Sequence, residues 1–133
     1  MCHLFINADS ELWKSRSKSL RIDGVSTSIR IENFFWSTLE EIAARDRMTV
    51  NQLITRLYYE SIDAGHDLGN FTSFLRVCCA RYLFLISAGE ISSSLDEELG
   101  SITADDILER ERTHYHDRSR LLKSVLRTTE PFN

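Results

Sequence analysis

Ser26-Thr27-Ser28-Ile29-Arg30-Ile31-Glu32 alternates polar and apolar residues, and Asn33-Phe34-Phe35-Trp36 follows without a break. Alternation at a period of two marks a half-buried strand. Within one or two residues the apolar period becomes that of a helix, with Phe35, Trp36, Leu39, Ile42 and Ala43 at three- and four-residue spacing. A lone short strand leaves its N–H and C=O groups unpaired on both edges. Strand followed by helix therefore implies a strand partner, most simply a second copy of the same segment.

Upstream, Ser19-Leu20-Arg21-Ile22-Asp23-Gly24-Val25 supplies a nearer neighbour. Asp-Gly between two alternating runs signals a hairpin, because both turn positions tolerate positive φ. A two-residue loop sets Ile22 opposite Val25 and Leu20 opposite Thr27. Leu20, Ile22, Val25, Thr27, Ile29 and Ile31 then share an apolar face. Ser19, Arg21, Ser26, Ser28 and Arg30 share a basic, hydroxyl-rich one.

Downstream, the first helix is expected over Asn33–Arg45, with Glu40, Glu41 and Arg45 on its wet side and a turn at Asp46-Arg47-Met48. Thr49 with Gln52 three residues later is a capping-box pattern opening a second helix. Its stripe is Val50, Leu53, Ile54, Leu57, Tyr58 and Ile62, and Gly65 suits its C-terminal cap. A third helix, Phe71–Ser87, is apolar around most of its circumference, which implies burial within and between protomers. Residues 1–17 read as an extension with a short strand at Leu4-Phe5-Ile6 and a helical turn at Leu12-Trp13. Residues 89–133 read as a polar tail, opening with a Ser-rich linker and carrying a charged helix over 103–127. Its Ile107, Leu108, Leu121, Leu122, Val125 and Leu126 either dock weakly or leave the tail partly disordered.

Composition narrows the function. The chain has 133 residues, one Pro and five Gly, with 42% hydrophobic and 27% charged residues. That suits one small domain with extensions rather than a multidomain enzyme. No secretory leader is read at the N-terminus, and the most apolar stretch, 71–88, contains Arg76 and Arg81 and is too short to span a bilayer. A cytoplasmic location without membrane association is the expectation. Cys78 and Cys79 read as small buried hydrophobes rather than a redox pair. His114 and His116 have no zinc-like spacing with Cys2 or His3. No Gly-rich phosphate loop or nucleophile–His arrangement occurs. No catalytic residue, metal ligand or cofactor is expected.

The net charge is −4, yet Lys14, Arg16, Lys18, Arg21 and Arg30 face only Asp23 between residues 14 and 30. Screening limits the reach of remote charges to about 10 Å, so this local excess can govern encounters with a polyanion. A two-stranded ribbon with a polar outer face also matches the width of the DNA major groove.

These residues resemble a known family. Ser19-Leu20-Arg21-Ile22, Thr27-Ser28-Ile29-Arg30-Ile31-Glu32, Phe35-Trp36, Leu39, Ile42-Ala43, Leu53-Ile54, Leu68 and Ser73-Phe74-Leu75-Arg76 are similar to the bacterial ribbon-helix-helix domain family. The similarity is to a subgroup with a TSxRLE…FW strand-to-helix junction and a third helix opening SxLR, over about residues 18–86. It implies a mainly α fold with a short N-terminal β-ribbon, an intertwined homodimer or higher even oligomer, an added third helix and a helical tail. The domain would span 18–88. Carried over by position, Ser26, Ser28 and Arg30 would touch bases, while Lys18, Arg21 and the helix start at Thr49, Val50 and Asn51 would touch phosphates, with Lys14 and Arg16 as further candidates. Ile29, Ile31, Trp36, Leu53 and Leu57 would form the dimer core. Double-stranded DNA is the implied partner, and transcriptional regulation the implied role. The competing expectation is an antitoxin-like or adaptor module that holds a protein partner through the third helix or the tail.

Overall fold

The computed structural model describes residues 2–129; Met1 and residues 130–133, the outer ends of the N-terminal extension and the tail, lie outside the described residues. The elements are α1 (Cys2–Ile6), β1 (Ser15–Ile22), β2 (Val25–Glu32), α2 (Asn33–Arg45), α3 (Val50–Asp63), α4 (Phe71–Ser87) and α5 (Ala104–Thr129). Short 3-10 turns occupy Ser10–Trp13, Leu68–Asn70 and Leu99–Ser101. The chain divides into one compact unit up to Gly100 and a second from Ser101.

β1 and β2 form an antiparallel hairpin whose register pairs Ile22 with Val25, Leu20 with Thr27 and Ser15 with Glu32. Asp23 and Gly24 sit at φ 55° and 76°, both positive as a two-residue hairpin loop requires. β1 reaches back to Ser15, three residues into the expected extension. An isolated hairpin is marginal in water, so its stability comes from its inner face. Leu20, Ile22, Ile29 and Ile31 are buried there against Trp36, Leu39, Ala43, Leu53, Ile54, Leu75 and Cys79. Each such side chain contributes about 1.5–3 kcal/mol of burial, opposed by the entropy of ordering the chain. Val25 and Thr27 share that face by alternation but are exposed, while Ile22 and Leu20 across from them on β1 are buried.

The helix bounds follow the sequence reading. α2 runs over the expected residues, and the Trp36 indole N–H donates to the Arg16 carbonyl at 2.8 Å, fastening β1 to α2. α3 opens with the expected capping box: the Gln52 N–H donates to Thr49 Oγ1 at 3.1 Å, and the Thr49 N–H to Gln52 Oε1 at 2.9 Å. It ends with Gly65 at φ 78°. Two expected stripes are incompletely covered. Ile62 of α3 is exposed, and in α4 only Leu75, Cys79 and Tyr82 are buried, while Val77, Leu83 and Phe84 face outward in a single copy.

Three expectations are corrected. Leu4-Phe5-Ile6 is helical rather than a strand, since local bonds such as Asn7 N–H to His3 C=O satisfy the backbone where no neighbouring strand is at hand. Arg45 lies in the core at 2% exposure, not on the wet side of α2. Its guanidinium donates to the carbonyls of Ser92 (2.8 Å) and Glu97 (3.0 Å) and to the Tyr82 hydroxyl (3.2 Å). Glu41, also expected in water, is half-buried and accepts the Tyr82 O–H. Beside Arg45, Asp46 Oδ1 accepts the N–H groups of Leu99 (2.6 Å) and Gly100 (3.1 Å). Residues 91–100, read as the start of a polar tail, are therefore a strap bound to the first unit, which extends past the expected boundary at 88/89. The second unit holds α5 as one continuous helix of 26 residues.

Candidate nucleic-acid interface

The outer face of the hairpin is set by strand alternation and register. Ser17 stands across from Arg30, Ser19 from Ser28, and Arg21 from Ser26. All six are exposed, and Arg30 Nη1 lies 3.5 Å from Ser17 Oγ. Neither Arg21 nor Arg30 has a carboxylate at ion-pair distance among the described residues. The face thus offers four hydroxyls and two guanidinium groups on a rigid, twisted ribbon. Arginine donates two parallel hydrogen bonds to O6 and N7 of guanine, and serine can donate or accept.

Sequence reasoning placed Ser26, Ser28, Arg21 and Arg30 on this face and the structure brings them together. It did not count Ser17 as a contact residue, because the strand was begun too late. The signal was present: Ser15, Ser17, Ser19 and Arg21 recur at every second position.

The other expected cations are engaged elsewhere. Lys18 shares the inner face with Leu20; its ammonium lies 5.2 Å from the centre of the Trp36 ring and 3.9 Å from Glu40. Arg16 lies 3.8 Å from the same carboxylate, and Lys14 Nζ lies 2.6 Å from Glu11. Three of the five cations between residues 14 and 30 therefore lie beside acids outside that stretch, two of them sharing Glu40. Arg21 and Arg30 are the two with no such acid beside them among the described residues.

Glu32, at the end of the ribbon, is turned toward α4, where its carboxylate accepts two bonds from Arg76, at 2.9 and 3.3 Å. The Arg76 hydrogen bonds hold the Glu32 pKa below its ordinary 4.5. The acid at the helix end of the ribbon is thus paired in place, which leaves Asp23 at the turn.

At the start of α3, the capping box occupies Thr49 and the third helical N–H. The N–H groups of Val50 and Asn51 have no acceptor among the described residues. Such groups, with the helix dipole, suit a phosphate oxygen. Arg47, with φ at 57°, Asn51, Gln52 and Arg56 border an open groove of about 700 Å³ alongside.

The expected dimer-core residues divide. Ile29, Ile31, Trp36 and Leu53 are already buried within one copy, and Leu57 is half-buried. β2 has β1 on one edge and no ladder partner on the other among the described residues. Cys79 is buried against the Phe35 carbonyl, and burial pushes its thiol up to about 12; Cys78 is half-buried and raised for the same reason. No group of three or more potential metal ligands occurs among the described residues, nor is any described helix long and apolar enough to cross a membrane.

A solved structure shares this architecture, that of an uncharacterized protein from Bordetella pertussis Tohama I. Its TM-score is 0.77, with 47% identity over 81% of this chain and 86% of that one. No curated protein matches. The family model for the ribbon-helix-helix domain matches residues 15–83, from the first residue of β1 into α4. That family is in general one of non-enzymatic, DNA-binding regulators that act as dimers. The chain belongs to the ribbon-helix-helix domain family.

Proposed function

We propose that this protein is a dimeric, sequence-specific DNA-binding regulator acting on double-stranded DNA in the cytoplasm. The observation that carries this reading is the outer hairpin face, where Ser17, Ser19, Ser26, Ser28, Arg21 and Arg30 stand in register with no carboxylate among them. Two copies pair antiparallel along the second edge of β2, giving a four-stranded ribbon with β1 and its copy outermost. That pairing satisfies the open backbone edge and doubles the basic face about a two-fold axis.

Arg30 and Ser28, nearest that axis with Ser26 alongside, read base edges in the major groove. Arg21 and the N–H groups of Val50 and Asn51 hold phosphates and fix the register. Lys18 supports this face from behind through Trp36 rather than lying on it. The acidic net charge does not oppose binding, because the ribbon is governed by the charges within a screening length of it.

Selection of bound sites from random double-stranded DNA tests the proposal, with the Arg30→Ala variant selected in parallel. The expected result is a palindromic motif enriched by the natural chain and lost or degraded with Arg30→Ala. No enrichment, or the same motif from both proteins, would overturn the ribbon as the reading surface.

A further inference from the structure

Two arginines share the outer face of the hairpin, but only one of them has a partner there. Arg21 stands across from Ser26, and Arg30 across from Ser17. Arg30 Nη1 lies 3.5 Å from Ser17 Oγ, a cross-strand contact between residues 13 apart in sequence. Arg21 makes no side-chain hydrogen bond or ion pair among the described residues. Ser17 belongs to β1, so the contact draws the Arg30 head over its own hairpin and away from the open edge of β2.

We propose that Ser17 is a positioning residue for Arg30, whose guanidinium it orients for paired donation to guanine. The inference rests on the hairpin face being the DNA-reading surface. The serine hydroxyl accepts from Nη1 through one lone pair. That leaves the parallel N–H groups on Nε and Nη2 free for O6 and N7 of the base. A carboxylate at position 17 would also orient the guanidinium, but it would neutralise the charge and compete with the base. At 3.5 Å the contact is longer than an ordinary N–H···O bond, so Arg30 is steered rather than locked. Exclusion of water from the groove lowers the local dielectric and strengthens the contact. Arginine gives up much rotamer freedom when fixed on a base, and a side chain oriented beforehand gives up less. The same contact serves the paired ribbon. With Arg30 near the two-fold axis, the guanidinium groups of the two copies repel, and each Ser17 holds its own back from the other.

A double-mutant cycle on the full chain tests this inference. Affinity is measured at fixed salt for the selected double-stranded site and for unrelated DNA. Ser17→Ala should weaken the selected site about three- to tenfold, the worth of one hydrogen bond, and leave unrelated DNA unchanged. In an Arg30→Ala background the same substitution should change nothing further. Ser17→Thr, which keeps the hydroxyl, should bind as the natural chain does. A second measurement needs no DNA: the NMR order parameter at Nε of Arg30 should exceed that of Arg21, and should fall to its level in Ser17→Ala. An equal loss in both backgrounds would make Ser17 a DNA contact in its own right and overturn the positioning role. So would a loss that Ser17→Thr does not recover, or an order parameter at Arg30 no higher than at Arg21. A loss with Arg30→Ala but none with Ser17→Ala would overturn this inference alone. Unchanged binding by Arg30→Ala would overturn the ribbon as the reading surface, and this inference with it.

Discussion

Arg30 and Arg45 are the same residue type fifteen positions apart, in opposite surroundings. Arg30 stands on the open face of the hairpin with only a serine hydroxyl beside it. Arg45 is sealed under residues 91–100, donating to two carbonyls and a tyrosine hydroxyl. An exposed arginine contributes little to the stability of a fold and is available to a partner. A buried one with neutral acceptors is committed to the fold, because removing it strands the groups it served. The comparison separates the face proposed to recognise DNA from the region that holds that face in place.

The largest effect is expected at the buried end. Arg45→Ala should destabilise the domain by about 3 kcal/mol in urea unfolding, through loss of charged hydrogen bonds and orphaning of the Ser92 and Glu97 carbonyls. A loss under about 1 kcal/mol would mean that the strap is not held through this residue. Asp46→Ala, which strips the acceptor from the Leu99 and Gly100 N–H groups, should cost about 1–2 kcal/mol. It should also speed proteolysis within residues 91–100 while leaving the hairpin protected.

At the open end the effects on stability are smaller. Gly24→Ala places a side chain at φ 76° where no atom lies within 4 Å, so its cost is purely conformational. About 1 kcal/mol is expected in thermal unfolding. The Glu32–Arg76 pair gives the smallest effect and a pH signature. Since the folded pKa of Glu32 lies below its ordinary 4.5, its contribution is present above that value and is lost as pH falls through the lowered one. The pair is about a third exposed, which limits the effect to about 0.5–1 kcal/mol. Arg76→Ala should cost that amount at pH 7, and the difference from the natural chain should disappear as pH falls below about 4.5 through the lowered Glu32 pKa, flattening the acid limb.

The two regions also differ in how legibly the sequence encodes them. The hairpin was legible because its determinants are local: Asp23-Gly24 sets the turn, and strict alternation on either side sets the faces. The capping box at Thr49 and the positive-φ Gly65 marked α3 for the same reason. Arg45 misled because residue type and period disagree there. It follows buried Thr38 by seven residues, so helical spacing places it on the covered side, but arginine is rarely buried without partners. Its partners are backbone carbonyls about 50 residues away, in a Ser-rich segment whose composition reads as a linker. Nothing local announces such a contact. Lys18 shows the same limit on a smaller scale, since alternation put it behind the ribbon while its charge suggested the front.

That the open face reads DNA bases is the central claim, and Arg30 tests it most directly. Titration of a selected site by fluorescence anisotropy compares the natural chain with Arg30→Ala and Arg30→Lys at fixed salt. Arg30→Ala should lose about 1–3 kcal/mol of affinity, and Arg30→Lys should lose most of the same amount on the selected site while binding unrelated DNA as the natural chain does. Lysine serving as well as arginine on the selected site would reduce Arg30 to a phosphate contact, and unchanged binding by Arg30→Ala would contradict the account.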